Sequence, residues 1–284
     1  MRSLLFVPAD SERKLAKAAD SGADALIIDL EDSVVPERKA LARASAVDYL
    51  RAARVGCELW VRVNDLRGGQ LLPDLAAVVP ARPTGIVLPK IDGPADIETV
   101  ARYLDALEAA HGVGAGVIAL LVLATETPAA VLRLPQLLEL ECARLRGLTW
   151  GAEDLSAALG AGDPRARGGW GGTYAYARTQ CLLAAHALSI EAIDTVFVDF
   201  RDSAALAADC AASRHDGFTG RLAIHPDQVA IINAAYTPSA TERQLAQRIV
   251  EAFTDGVGTV SIEGKMYDLP HLRAAQRLLR RVRT

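Results

Sequence analysis

The chain has 284 residues, 51% of them hydrophobic and 23% charged, with a formal net charge of −4 at pH 7. No block of five like charges occurs, which argues against nucleic acid or an anionic membrane as the main partner, so we expect a small soluble substrate. No apolar stretch approaches a membrane span, and the apolar run near the start is too short for a signal-peptide core. The cysteines are widely spaced, which predicts a reduced, cytoplasmic protein without a zinc site or a disulfide framework: Cys57, Cys142, Cys181 and Cys210.

Short β-branched or apolar segments alternate with longer Ala/Leu-rich amphipathic segments as far as about residue 225. This alternation is typical of βα units around a parallel sheet. Eight units favour a closed (β/α)8 barrel over an open doubly wound sheet. The predicted strands are Ser3–Val7, Ala25–Asp29, Glu58–Val63, Gly85–Leu88, Val117–Leu123, Gly147–Trp150, Thr195–Val198 and Arg221–Ile224.

The strand rhythm stops after the eighth unit. The rest of the chain predicts two helices, a glycine-containing hairpin and a last helix: Asp227–Ala235, Ser239–Asp255 and then Leu269–Arg283. We therefore expect a barrel domain over residues 1–225 and a C-terminal helical extension over residues 226–284. The one long loop, Gly160–Gly172, lacks the strand-to-helix context of a phosphate-binding loop, so we expect a mobile loop beside the active site.

Polar residues follow nearly every predicted strand, at the end of the barrel where active sites of this fold lie. Carboxylates from several strands that meet at one mouth repel one another, and a divalent cation would relieve this repulsion. One or two carboxylates with further positions left for water and substrate are typical of Mg²⁺. The residues concerned are Asp29, Glu31, Asp32, Asn64, Asp65, Lys90, Glu126, Glu153, Asp154, Asp199 and His225.

Several of these residues have structural explanations as well. Glu126 could stabilise the N-terminal dipole of the next helix, and Asp154 could cap the helix that follows it. Arg62 alternates with apolar neighbours and so points into the barrel, where it needs an anionic partner. That partner is a substrate carboxylate or, alternatively, Asp29 or Glu31.

The acids after strand two and Lys90 after strand four stay ambiguous. One acid could hold a metal-bound water, and another could orient Arg62 or Lys90. Lys90 could form a Schiff base in an aldolase. Neighbouring acids would hold it protonated, however, so charge neutralisation is the favoured interpretation.

The order of the sequence motifs resembles the citrate lyase β subunit and the related malyl-CoA and citramalyl-CoA lyases of the HpcH/HpaI aldolase superfamily. The resemblance covers almost the whole chain. The motifs are RSLLFVPA at 2–9, ALIIDLEDSV at 25–34, WVRVND at 60–65, LPK at 88–90, TETP at 125–128, WGAEDL at 150–155, GFTGRLAIHPDQV at 217–229 and EGKMYDLP at 263–270.

This resemblance implies a (β/α)8 barrel with a C-terminal helical lid, in a homotrimer. It implies that Glu126 and Asp154 are the Mg²⁺ ligands and that Arg62 binds the substrate's carboxylate or oxo group. It assigns Asp268, in the lid motif, as a catalytic acid that acts across the subunit boundary, although Tyr267 replaces the small aliphatic residue expected before it. It places Phe6, Arg13 and Lys17 where members of that family contact coenzyme A. Ile224 and His225, at the end of strand eight, are further expected substrate contacts. His225 could act as a base or its ring could structure the His-Pro turn, and a backbone contact to the thioester is the favoured interpretation.

The reaction expected from these features is Mg²⁺-dependent retro-Claisen cleavage of a citryl-, citramalyl- or malyl-CoA type thioester to acetyl-CoA, or another acyl-CoA, and a 2-oxo acid. One alternative is a metal-dependent aldolase acting on free 2-oxo acids. Another is a β subunit that works only inside a multi-subunit citrate lyase with an acyl-carrier partner. Arg13 and Lys17, one turn apart, would face coenzyme A phosphates or simply form a solvated helix face.

Overall fold

The computed structural model describes residues 1–52, 56–165, 169–254 and 257–282. The chain divides into two compact units, Met1–Asn233 and Ala234–Thr284. In the part of the chain that is described, no helix combines the length and apolarity needed to cross a lipid bilayer.

Eight parallel strands form the first unit, each pairing with the next in chain order, and the eighth pairs with the first. The sheet is therefore closed, and the predicted (β/α)8 barrel is confirmed. The strands are β1 Ser3–Pro8, β2 Ala25–Asp29, β3 Glu58–Arg62, β4 Gly85–Leu88, β5 Ala119–Leu123, β6 Leu145–Thr149, β7 Glu191–Asp194 and β8 Gly220–Ala223.

Helices follow the strands and cover the outside of the barrel. Short 3₁₀ turns at Pro36–Arg38, Val79–Ala81 and Leu134–Glu139 adjoin three of them. The helices are α1 Glu12–Ala18, α2 Lys39–Ala52, α3 Leu71–Val78, α4 Pro94–His111, α5 Pro128–Arg133, α6 Ala152–Leu159, α7 Gly172–Ala187, α8 Ser203–Asp216 and α9 Pro226–Tyr236.

Alternate residues of the strands fill the barrel interior, because successive side chains of a strand point to opposite faces. Leu4, Ile27, Trp60 and Leu121 belong to one buried apolar cluster at the centre. Gly85 leaves room for the Trp60 indole, since a Cβ there would lie 2.2 Å from that ring. The same alternation places the Arg62 side chain inside the barrel, two residues beyond Trp60 and nearer the mouth.

Strand seven begins four residues earlier than predicted. It spans Glu191–Asp194, while the β-branched run Thr195–Val198 lies in the loop after it. Local β-propensity pointed to that run, but the register with the two neighbouring strands decides the pairing. Ala192 pairs with Leu148 of β6, and Ile193 pairs with Gly220 of β8. The predicted strand seven was therefore wrong, and the acid at its true end is Asp194.

The second unit contains helix α10 Ala240–Ala252, the antiparallel hairpin β9 Thr259–Ile262 with β10 Lys265–Asp268, and helix α11 Leu269–Val282. Ser239 and Glu242 form a capping box at the start of α10. A small core of its own joins the helices to the hairpin through Ala246, Ile249, Ile262 and Ala275. The predicted order of helix, hairpin and helix is confirmed.

Candidate active site

A cavity of about 570 Å³ opens at the carboxyl ends of the barrel strands. Eight of the nine site residues that the sequence predicts line this one cavity, although they come from five strand ends and one helix. They are Phe6, Arg13, Lys17, Arg62, Glu126, Asp154, Ile224 and His225. The ninth, Asp268, belongs to the second unit.

Arg62 is held by two carboxylates of the segment after β2. Its Nε and one terminal nitrogen donate to the two oxygens of Asp29, each at 2.7 Å, and its other terminal nitrogen lies 2.9 Å from Glu31. The guanidinium carbon stands 4.6 Å from the centre of the Phe6 ring. Burial alone would lower the pKa of Arg62, but the two acids outweigh it and raise the pKa. The pairing considered as an alternative is thus present, and it orients the guanidinium at the cavity wall.

Glu126 lies three residues beyond the end of β5 and is only 2% exposed. Its Oε2 accepts a hydrogen bond of 2.6 Å from the Lys90 backbone N–H, while its Oε1 is buried with no hydrogen-bond partner among the described residues. Burial raises the pKa of Glu126 well above its usual value, and the charges of Asp154 and Glu31 raise it further. Thr127 rather than Glu126 caps helix α5.

Asp154 lies in the first turn of α6, with 32% of its side chain exposed. It does not cap this helix, because the N-cap is Gly151. Among the residues that the structure describes, its ion-pair partner is Lys90, whose Nζ atom lies 3.5 Å from the Asp154 carboxylate. Asp154 therefore faces the cavity with weaker charge compensation than the acids around Arg62.

Lys90 contacts acids that follow strands β2, β5 and β6. Its Nζ atom lies 2.7 Å from both Glu31 and Asp32, and its backbone has a φ of 49°, in the left-handed region that side chains other than glycine rarely adopt. Burial would lower the pKa of Lys90, but its bonds to Asp32 and Glu31 outweigh this and raise the pKa. A raised pKa opposes Schiff-base chemistry, as the sequence predicts.

The pair Glu126 and Asp154 fits a hard divalent cation. A buried carboxylate oxygen without a partner, such as Oε1 of Glu126, is costly unless a cation or a donor satisfies it. Within the described residues, no group of three or more His, Cys, Asp or Glu side chains is arranged to hold a metal. Two carboxylates with open positions suit a cation that keeps water and substrate as its other ligands.

His225 lines the cavity, and its backbone is hydrogen-bonded within its own turn. The backbone N–H groups of Ile224 and His225 both donate to the Gln228 side chain, at 2.8 and 3.2 Å, and the His225 carbonyl accepts from the Gln228 N–H. The His225 ring stacks on Phe200, with 4.7 Å between ring centres. The expected backbone contact to a thioester stays a prediction.

Comparison with known proteins agrees with this geometry. The family model described as HpcH/HpaI aldolase/citrate lyase matches residues 2–226. This chain belongs to that family. Relatives of this chain include a citramalyl-CoA lyase and a citrate lyase β subunit, so the chain is an enzyme of a lyase family.

Individual relatives cover nearly the whole chain. A (3S)-malyl-CoA thioesterase of Cereibacter sphaeroides is 33% identical over 98% of this chain and 93% of its own length. The mitochondrial citramalyl-CoA lyase of Homo sapiens is 30% identical over 97% of this chain and 83% of its own length. The crystal structure of CitE from Mycobacterium tuberculosis, in complex with magnesium, acetoacetate and coenzyme A, is 30% identical with a TM-score of 0.79, covering 100% of this chain and 98% of that one.

Gly151, Trp150 and Asp194 also shape the site of this HpcH/HpaI family member, and the sequence did not single them out. A Cβ at Gly151 would lie 2.6 Å from Cγ of Glu126, so glycine is required for the close approach of the two segments. The Trp150 indole lines the cavity and donates a bond of 2.6 Å to the buried Asp194. The motif WGAEDL contained the signal for Gly151, whereas the error in strand seven concealed Asp194.

Asp268 ends strand β10 and is half exposed. Its carboxylate lies 2.5 Å from Nδ1 of His271, one turn into α11, and this hydrogen bond lowers the pKa of Asp268. The glycine-rich loop Gly160–Gly172 was predicted to be mobile. It includes residues 166–168, which lie outside the described residues.

Proposed function

We propose that this chain is a Mg²⁺-dependent carbon–carbon lyase that cleaves a 3-hydroxy-3-carboxyacyl-CoA type thioester to an acyl-CoA and a 2-oxo acid. One observation carries the proposal: a single cavity joins a fixed guanidinium, two incompletely compensated carboxylates and a basic helix at the rim. These groups match, in order, the carboxylate, the hydroxyl and the coenzyme A phosphates of such a substrate. The magnesium complexes of the M. tuberculosis relative support the choice of cation.

In this proposal Glu126 and Asp154 hold the metal. When bound there, Mg²⁺ would supply positive charge beside the substrate's hydroxyl and favour its ionisation. Arg62 holds the substrate carboxylate through charge-assisted hydrogen bonds and transfers no proton, because its pKa is raised. Asp29 and Glu31 keep the guanidinium oriented while the carbon–carbon bond breaks.

The remaining roles concern the thioester half of the substrate. Arg13 and Lys17 on α1 neutralise phosphates at the rim, and the Phe6 ring packs beside the acyl chain. Cleavage leaves a thioester enolate, which needs a proton at its carbon. We assign that proton transfer to Asp268, following the family resemblance.

The decisive experiment incubates the pure protein and Mg²⁺ with malyl-, citramalyl- and citryl-CoA and measures release of the 2-oxo acid. We expect turnover that falls at least about 100-fold in Glu126→Gln, because the variant keeps the side-chain volume and removes the charge. Glu153→Gln is the matched control, since Glu153 lies in the same turn as Asp154 but is exposed. An equal loss in both variants would contradict the assignment.

A thioesterase is the second candidate, favoured by the relative named (3S)-malyl-CoA thioesterase. The two reactions differ in whether the thioester bond is broken. Hydrolysis releases free coenzyme A thiol and the intact hydroxy acid, whereas the lyase releases a 2-oxo acid and keeps the thioester. Parallel assays for thiol and for 2-oxo acid therefore separate them.

The same assay distinguishes the two alternatives that the sequence leaves open. Cleavage of free hydroxy acids alone would favour the aldolase, and no turnover despite coenzyme A binding would favour a subunit that needs an acyl-carrier partner.

We also propose that the protein is a homotrimer and that it is located in the cytoplasm. Light scattering would measure the former, and fractionation of cells that produce the protein would test the latter.

A further inference from the structure

The bottom of the active-site cavity is apolar. Four side chains form this surface, which we call the floor: Phe6, Leu123, Val196 and Leu222. Leu123 and Leu222 belong to the buried cluster at the barrel centre, and Phe6 and Val196 pack against that cluster. The floor is thus the upper layer of the barrel core, and the core fixes its position.

The cations near the floor are taken by the acids and by the substrate's first carboxylate. Arg62 directs three of its five N–H groups at Asp29 and Glu31, and the proposed function uses the other two for the substrate carboxylate. The Lys90 Nζ atom lies 2.7 Å from both Glu31 and Asp32. The other Lys and Arg side chains among the described residues that line the cavity are all on helix α1, at the rim: Arg13, Lys14 and Lys17.

The charges around Arg62 and Lys90 are unbalanced. With Lys39, five carboxylates surround three cations, an excess of two negative charges when all are ionised: Asp29, Glu31, Asp32, Glu126 and Asp154. One divalent cation balances this excess, and one substrate carboxylate then leaves an excess of one. A second substrate carboxylate would raise it to two, beside acids of which Asp29, Glu31 and Glu126 are buried and therefore poorly screened.

The tetrahedral carbinol carbon decides what meets the floor. In the proposed reaction its carboxylate and hydroxyl face Arg62 and the acid pair at the wall, and its thioester arm extends to the rim. The fourth substituent must then point down to the floor. That substituent is hydrogen in malyl-CoA, methyl in citramalyl-CoA and a carboxymethyl group in citryl-CoA.

We infer that the floor is the specificity determinant of this chain and that it selects substrates whose fourth substituent is hydrogen or a small alkyl group. This inference rests on the proposed function. A methyl group gains contacts with Leu123, Val196 and Leu222. A second carboxylate would lose its hydration without gaining a further cation from the described residues that line the cavity. The 2-oxo acid released is therefore a monocarboxylic acid.

The first test compares kcat/KM of the wild-type protein for the three thioesters at saturating Mg²⁺. We expect citramalyl-CoA to equal or exceed malyl-CoA by up to about 10-fold, as for one added methyl in an apolar pocket. We expect citryl-CoA to be at least about 100-fold poorer than the better of the two. Citryl-CoA within 10-fold of that substrate would overturn the inference, while no cleavage of any thioester would instead overturn the proposed function.

The second test places a cation on the floor. Val196 is suited because it lies in the loop after β7 and is half-buried, so a longer side chain is tolerated there better than at Leu123 or Leu222. We expect Val196→Arg to raise the ratio of citryl-CoA to citramalyl-CoA cleavage at least about 10-fold, and the uncharged control Val196→Met to leave that ratio within about threefold. Equal ratios in the two variants would overturn the inference.

A binding measurement complements the kinetics. Titration calorimetry of the Mg²⁺-loaded protein with pyruvate and with oxaloacetate reports the same preference without turnover. We expect pyruvate to bind more tightly to the wild-type protein, and oxaloacetate to gain at least about 10-fold in affinity in Val196→Arg. Tighter binding of oxaloacetate by the wild-type protein would contradict the inference.

Discussion

At the scale of single residues, the carboxylate of Glu126 is positioned by two backbones rather than by other side chains. The Lys90 N–H holds one oxygen, and the Gly151 backbone packs against the aliphatic part of the side chain. The unusual φ of Lys90 points its N–H at Glu126 while its side chain reaches the acids of β2. A left-handed residue and a glycine thus place the acid that we propose as a metal ligand.

The contact at Gly151 yields a prediction about the metal. In Gly151→Ala the new Cβ would lie 2.6 Å from Cγ of Glu126, so the carboxylate must move. We expect Mg²⁺ affinity, measured by calorimetry, to fall about 10- to 100-fold, as for other groups that orient ligands. Gly172→Ala is the control, because a Cβ at that glycine has no neighbour within 4 Å. Unchanged affinity in Gly151→Ala would show that Glu126 does not bind the metal.

The raised pKa of Glu126 predicts how stability depends on pH without metal. A carboxyl group whose folded-state pKa exceeds the unfolded value stabilises the fold below the unfolded pKa, and this contribution is lost as pH rises through the folded pKa. We therefore expect the metal-free protein to lose stability as pH rises above the ordinary range of a Glu pKa, with a slope from this group of up to about 1.4 kcal/mol per pH unit. Urea unfolding at several pH values measures it.

Glu126→Gln provides the comparison for that slope. The neutral amide cannot titrate, so the variant should lack the contribution of Glu126 and show a flatter profile. Saturating Mg²⁺ should flatten the wild-type profile as well, because the metal favours the ionised carboxylate. Identical slopes in the wild-type protein and the variant would mean that Glu126 ionises normally.

At the scale of elements, strand seven shows how long-range pairing overrides local propensity. The acid at its true end, Asp194, is 1% exposed and accepts from Trp150, with Arg178 at 3.4 Å and Arg221 at 3.6 Å. Burial alone would raise the pKa of Asp194, but these arginines outweigh it and lower the pKa. The short strand Glu191–Asp194 begins and ends with an acid. Its last residue, Asp194, is stabilised by Trp150, Arg178 and Arg221 from other elements.

Substitutions of Asp194 and Asp199 test whether strand β7 ends at Asp194. Asp194→Ala leaves two arginines facing a lost charge, and we expect the free energy of unfolding to fall by about 3–5 kcal/mol in urea titrations. Asp199→Ala, in the exposed loop where the sequence predicted the strand end, should cost less than about 0.5 kcal/mol. Comparable losses in both variants would contradict the observed strand boundaries.

At the scale of the whole molecule, the groups that we propose bind metal and substrate line a cavity of the barrel unit, and Asp268 belongs to a smaller second unit. The smaller unit has its own apolar core, so Asp268 sits on a folded hairpin rather than on a loose tail. Its bond to His271 lowers the pKa of Asp268 in the described conformation. The proposed acid role therefore requires the Asp268 carboxyl to leave His271 when it donates.

Removing this carboxyl should affect chemistry more than binding. We expect Asp268→Asn to lower kcat about 100-fold or more while KM and Mg²⁺ affinity change less than about threefold. Mixing Asp268→Asn subunits with Glu126→Gln subunits tests whether the acid acts across the subunit boundary. If it does, a mixed oligomer contains sites with Glu126 from one subunit and Asp268 from the other, and activity returns. Full activity of Asp268→Asn alone would remove Asp268 from the mechanism.

The sequence by itself determined the barrel, the order of its units and the set of acids at its mouth. Local periodicity and strand-end position carry that information, as seven of the eight strands and residues such as Glu126 and Arg62 illustrate. The motif order also predicted the family. These features depend on residues close together in the chain, where the sequence signal is strong.

Only the tertiary structure decided which groups touch. The engagement of Arg62 by Asp29 and Glu31 and of Asp194 by Trp150 depends on register and on packing between distant segments. No local pattern encodes such pairings, because each one satisfies a buried polar group that exists only once the barrel has closed.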